Sequence, residues 1–188
     1  MIDSLVKLTE KIVELLKYRQ TRKKLLFDEF AKPLYDQIAI VHQDYLSMLG
    51  KVKTALETGE SLASICTTFS PDRSEKEAQR RAVRPLTNAL LLDNKFAEFQ
   101  PFLEAVDHYF SGPGPTSSSY SIIVETELRA AQRREEVVNA TFVGRLFNRR
   151  SDYVEAPLRN VTNNIESLRR YWGRIVEEYA KLKIDSVA

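Results

Sequence analysis

Five basic residues, Lys17, Arg19, Arg22, Lys23 and Lys24, fall within eight positions, and Arg19 and Lys23 stand where an apolar stripe should continue. Cations at that density suit a phosphate, an acidic protein partner or anionic lipid head groups, each of which is held by charge. They equally suit the end of a helical bundle, where a helix emerges into water or pairs with acidic neighbours. Both readings stay open on the sequence, and these five residues are the candidate partner-binding site.

Further arginines cluster at Arg80, Arg81 and Arg84, at Arg133 and Arg134, at Arg145, Arg149 and Arg150, and at Arg169, Arg170 and Arg174. Guanidinium forks bind carboxylate or phosphate at two points at once. Each group also has acidic residues within a helical turn, such as Glu77, Glu135, Glu136, Glu166 and Glu177, so self-neutralised helix faces are the commoner expectation.

Catalytic chemistry has little to work with. The only histidines are His42 and His108, and neither has a Glu three residues before it, so the Glu-x-x-His set with which bundles hold paired metals is missing. Glu104 and His108 are four apart and read as a surface pair. Cys66, the single cysteine, has no base beside it in sequence and reads as a buried structural thiol. Phosphate-cradling loops and nucleophile elbows have no match. No catalytic residue, cofactor or metal is therefore expected, and the chain is not expected to be an enzyme.

The elements that would position these residues are helices. Gly and Pro number only 6 and 7 among 188 residues, against 29% charged and 43% hydrophobic residues. Apolar residues at Leu5, Leu8, Ile12 and Leu15 mark a first amphipathic helix, and Phe27, Phe30, Leu34, Ile38, Val41, Tyr45, Met48, Val52 and Leu56 continue at steps of three and four. The segment from Thr58 to Ser74, with Gly59, Pro71 and many hydroxyls, reads as a connection. Beyond it the stripe through Leu86, Phe96, Phe99, Leu103 and Phe110 predicts either a kinked helix or a break near Asp93 and Asn94. SGPGPTSS from Ser111 punctuates the chain. The last series, Val154, Leu158, Val161, Ile165, Leu168, Trp172, Ile175, Tyr179 and Leu182, has the four-three alternation of a coiled-coil seam.

The expected architecture is all-α, a single domain over residues 1–188. It is an antiparallel bundle of four to five long amphipathic helices at about 3–32, 33–58, 74–110, 119–149 and 152–184, some kinked at Pro33, Pro85 and Pro101. Polar residues near Arg19, Lys23, Asp93 and Glu135 interrupt its inward faces.

Net charge is only +2, so any role in binding anions is local. A lone cysteine, the lack of an apolar run of about 20 residues and the charged, amphipathic start from Met1 to Leu16 point to a cytoplasmic protein. Asn139 and Asn160 head Asn-x-Thr triplets inside predicted helices and read as chance.

By elimination, the expected function is that of a non-enzymatic interaction module, a regulator, adaptor or subunit binding partners through helix surfaces. A protein partner or self-association comes first, since a regular heptad seam serves either. The second expectation is a membrane-acting bundle that releases its basic N-terminal helix, with Leu5, Leu8, Ile12 and Leu16, onto an anionic lipid surface. The third is nucleic-acid binding through the arginines. No small-molecule substrate is indicated.

Overall fold

A computed structural model describes residues 23–91, 94–111, 120–141 and 151–187, and among them the protein is an all-α helical bundle. A helical turn, Lys23–Leu26, passes through a π-turn, Phe27–Ala31, into α1, Lys32–Glu57. Then follow α2, Leu62–Leu91; a 3-10 segment, Asn94–Phe99; α3, Gln100–Ser111; α4, Tyr120–Ala140; and α5, Ser151–Val187. The predicted first helix, most of the basic cluster and residues 142–149 lie outside the described residues.

The structure departs from the sequence reading at 58–74. Only Thr58–Ser61 connects, and the hydroxyl-rich stretch is the start of α2. Its hydroxyls do not break the helix because they turn back onto it. Thr67 Oγ1 donates to the Ala63 carbonyl at 2.9 Å and Thr68 Oγ1 to that of Ser64 at 3.1 Å. Leu62, Ile65, Cys66 and Phe69, spaced for one helix face, are all buried. Packing of that face outweighs the weak propensity of the polar residues between.

The turn itself is well specified. Gly59 has φ +82°, a left-handed conformation that costs glycine nothing. Its N–H donates to the Leu56 carbonyl at 3.4 Å and that of Glu60 to Ala55 at 2.9 Å, the paired bonds of a Schellman cap. Ser61 then caps α2, its Oγ accepting from the Ser64 N–H at 3.2 Å.

Prolines meet the helices in different ways. A proline ring crowds the turn before it, and the turn before Pro33 is π-helical, with the Lys32 N–H donating to the Phe27 carbonyl. Helix runs through Pro85 within α2. Pro101 is in the first turn of α3, where a missing N–H leaves no bond unmade. Of the two alternatives near Asp93 and Asn94 the break is the one found, since α2 ends at Leu91 and a 3-10 segment begins at Asn94.

The chain divides into two compact units. The first comprises the described parts of Met1–Asp44, Ala78–Ser111 and Leu168–Ala188. Its core holds Phe30, Leu34, Ile38, Phe96, Phe99, Phe102 and Tyr109. Rings join its helices: Phe27 stacks on Tyr179 at 5.5 Å, Tyr35 on Tyr179 at 3.9 Å and on Trp172 at 5.3 Å, and His42 on Trp172 at 4.9 Å. As the α1 side climbs from 27 to 42 its partner falls from 179 to 172, so these segments run antiparallel. The second unit comprises Tyr45–Glu77 and the described parts of Gly112–Ser167, with Leu49, Val52, Leu62, Ile65, Leu128 and Val161 buried.

Within α5, Val154, Val161, Leu168, Ile175 and Leu182 form one wholly buried row at seven-residue spacing. Leu158, Ile165, Trp172 and Tyr179, the other row of the predicted seam, are half-buried. Leu168→Ala should therefore lower unfolding free energy by about 2–5 kcal/mol, whereas Ile40→Ala, at a position 45% exposed, should cost less than about 1 kcal/mol. Urea titration of both variants measures the difference.

Candidate functional site

Of the five predicted binding residues, Lys17, Arg19 and Arg22 lie outside the described residues. Lys23 does not face solvent alone: its Nζ is 3.4 Å from Glu98 Oε2 and 3.7 Å from Asp185 Oδ2. Lys24 is exposed. At Lys23 the interrupted stripe is thus met by internal carboxylates. Glu135 is a similar case, for Tyr153 Oη donates to its Oε1 at 3.4 Å.

Two titratable groups, one buried and one half-buried, have opposite fates in the units. In the first unit His42 is 2% exposed, its Nδ1 is 3.1 Å from Tyr109 Oη, and its ring stacks on Trp172. Burial, with a smaller contribution from the charge of Arg169, lowers its pKa from 6.5 to about 4. The imidazole is neutral near pH 7 and serves as a core aromatic with one hydrogen bond.

In the second unit Glu125 on α4 is the centre of a polar cluster. Its Oε1 accepts from Ser70 Oγ at 2.9 Å and from Arg129 Nε and Nη2 at 3.0 and 2.8 Å, and Arg73 Nε pairs with its Oε2. Burial alone would raise this carboxyl, but the hydrogen bonds from Arg129 and Ser70 and the charges of Arg73 and Arg129 outweigh it and hold the group below the usual range. An ionised carboxylate gripped by two guanidiniums ties α4 to α2 and has no proton to give. Cys66 on α2 is buried, and burial pushes its thiol up against the opposing charge of Arg129, so it is a poor nucleophile. Glu104 and His108 are both exposed on α3.

Two surfaces of the second unit are concave. Beside the α1–α2 turn a half-open cleft of about 480 Å³ has Met48, Val52, Ile65 and Phe69 as its floor and Lys51, Glu60, Thr68 and Asp72 at its rim. The other, about 410 Å³, lies on α4 against Ala130, Arg133, Arg134, Val137 and Val138. There Val137 is 70% exposed. Arg133 and Arg134 are exposed and have no ion pair among the described residues, unlike Arg73 and Arg129. The sequence offered Arg133 and Arg134 only as one arginine group among several. Their exposure beside an apolar valine distinguishes them, and it depends on which face of α4 is turned inward.

Among the described residues no group of three His, Cys, Asp or Glu side chains is placed to hold a metal, and no helix is long and apolar enough to cross a membrane. No family model, curated protein or solved structure matches the chain.

The buried imidazole has a measurable consequence. An unfolded His42 takes up a proton near pH 6.5 that the folded one resists until about pH 4. Stability should therefore be unaffected by His42 above pH 6.5 and fall as pH drops through that window, by up to about 3 kcal/mol. Unfolding free energies of the native chain and His42→Gln, measured between pH 7 and pH 4, should converge or cross as pH falls, and parallel curves would refute it.

Proposed function

We propose that the chain is a non-enzymatic helical interaction module that seats an acidic, amphipathic segment of a protein partner on α4. One observation carries this reading: Arg133 and Arg134, free of ion pairs among the described residues, flank an exposed Val137 in a groove of about 410 Å³. Guanidinium groups grip carboxylates bidentately, and an exposed aliphatic side chain between them supplies the apolar contact that gives such a pairing its affinity. A partner helix with an acidic residue on each side of an apolar one fits both features.

The test is capture of partners on the immobilised chain, identification of the bound protein, and direct titration with that protein purified. Arg133→Glu with Arg134→Glu should weaken binding about 30-fold or more, the usual loss at a charged anchor. Val137→Asp should weaken it independently. A partner lost instead from Arg22→Glu, Lys23→Glu, Lys24→Glu would transfer the contact to the basic cluster. Recovery of nucleic acid, with affinity falling steeply as salt rises, would overturn the protein-binding reading.

A further inference from the structure

We infer that the segment seated on α4 carries a side-chain phosphate monoester held between Arg133 and Arg134, so that binding is switched by phosphorylation of the partner. This rests on the reading of the α4 groove above and names the group that the partner presents to it.

Helix geometry sets the shape of the site. At roughly 100° and 1.5 Å per residue, Arg133 and Arg134 stand at nearly one level of α4 and about 100° apart around it. Ala130 lies about one turn before them and Val137 about one turn beyond, and both fall within that angle, so the four residues form a diamond. All four line the same concavity. The small side chain of Ala130 leaves the middle open, with an arginine on either side. A single anion seated there meets both guanidiniums, and Val137, 70% exposed, then meets an apolar side chain one turn away on the same segment.

Charge chooses the anion. Neighbouring carboxylates of α4 are engaged elsewhere: Glu125 by Arg73 and Arg129, Glu135 by the Tyr153 hydroxyl at 3.4 Å, and Glu136 by the Gln132 amide at 2.9 Å. Arg133 and Arg134, which have no ion pair among the described residues, therefore bring two positive charges to one place. One carboxylate supplies a single negative charge, and an exposed ion pair of that kind improves affinity by less than about tenfold. A phosphate monoester carries a charge of roughly −1.5 to −2 on three acceptor oxygens, enough for both forks at once. Two guanidiniums of this chain already converge on one anion at Glu125, where the anion is internal. On the outer face of α4 it comes from another molecule.

The same face does not suit a polynucleotide. A strand presents a row of singly charged diesters and is matched by a row of cations, but Arg129, the arginine one turn before Arg133, is held by Glu125. A phosphorylated segment of a protein is accordingly the occupant.

Fluorescence anisotropy of the full chain with one labelled helical peptide tests this. The peptide carries a single serine, with a leucine about one turn away on each side and no other charge, in unmodified, phosphoserine and glutamate forms. The phosphoserine form should bind at least about tenfold more tightly than either of the others. Arg133→Lys with Arg134→Lys keeps the charge but removes the forks, and should reduce that preference severalfold. Arg133→Gln with Arg134→Gln should abolish it, with the helical circular dichroism unchanged. The partner captured on the immobilised chain should likewise lose at least about tenfold in affinity after phosphatase treatment. Equal affinity for the phosphoserine and glutamate peptides, or no binding of the phosphoserine peptide up to about 1 mM, would overturn the inference. A captured partner that depends on Arg133 and Arg134 yet ignores phosphatase would remove the phosphate and leave the acidic segment standing. A partner indifferent to both arginines would remove the groove reading and the inference together. Tighter binding of a single-stranded oligonucleotide or of phosphatidylserine vesicles than of the phosphopeptide would refute a protein occupant.

Discussion

The stacking of Tyr35 between Trp172 and Tyr179 sets the register of the first compact unit. Those two rings are seven residues apart on α5, and Tyr35 and His42 are seven apart on α1. Two helices with matching seven-residue rings can interleave them in only one antiparallel alignment without leaving a ring unstacked. A slip of one turn, three or four residues, would set Tyr35 level with Leu168 and Ile175, or with Ile175 and Leu182, rather than with its aromatic partners. His42 completes the series by presenting a flat ring to Trp172 and a nitrogen to Tyr109 on α3. An aliphatic residue at 42 would keep the burial and lose the link to the third helix.

Burial acts on His42 and Glu125 in the same direction, against charge, and the outcome differs because their neighbours differ. His42 is surrounded by rings and a phenol, with Arg169 as the charge that reaches it, so the neutral form is preferred. Glu125 meets two guanidiniums and a hydroxyl, whose hydrogen bonds exceed the desolvation cost. Removing one partner of such a cluster leaves a charge underpaired in a half-buried place, which is why Ser70, Arg73, Glu125 and Arg129 act as one tie between α2 and α4.

Much of the fold was legible because helical periodicity reports burial directly. The stripe from Phe30 to Leu56 and the row from Val154 to Leu182 are buried where the spacing requires it. The start of α2 was not legible, since hydroxyl residues and Pro71 are ordinary signs of a loop, and only the buried Leu62, Ile65, Cys66 and Phe69 reveal that a helix face is satisfied there. The candidate site was legible in composition but not in place. Every arginine group had carboxylates within a turn, and sequence spacing could not separate Arg129, which grips Glu125, from Arg133 and Arg134, which grip no carboxylate among the described residues. The discriminating contact is with α2, some 59 residues away in the case of Ser70 and Arg129.

The half-buried second row of α5 says how this helix relates to its surroundings. A helix enclosed by neighbours on both sides of its seam buries both rows of a heptad, as a coiled coil does. Here Val154, Val161, Leu168, Ile175 and Leu182 are enclosed, while Leu158, Ile165, Trp172 and Tyr179 keep part of their surface in water. For Trp172 and Tyr179 the exposed part is small beside the stacking they provide, and Tyr179 is buried enough that its phenol is harder to ionise, with Asp36 and Asp28 adding to the effect. For Val176 and Ile184, further round the helix, no ring stacking offsets the exposure. Apolar surface at the edge of the seam is explained by packing within the chain, whereas the side chains beyond it, Val176 and Ile184, belong to the ordinary apolar share of a protein surface.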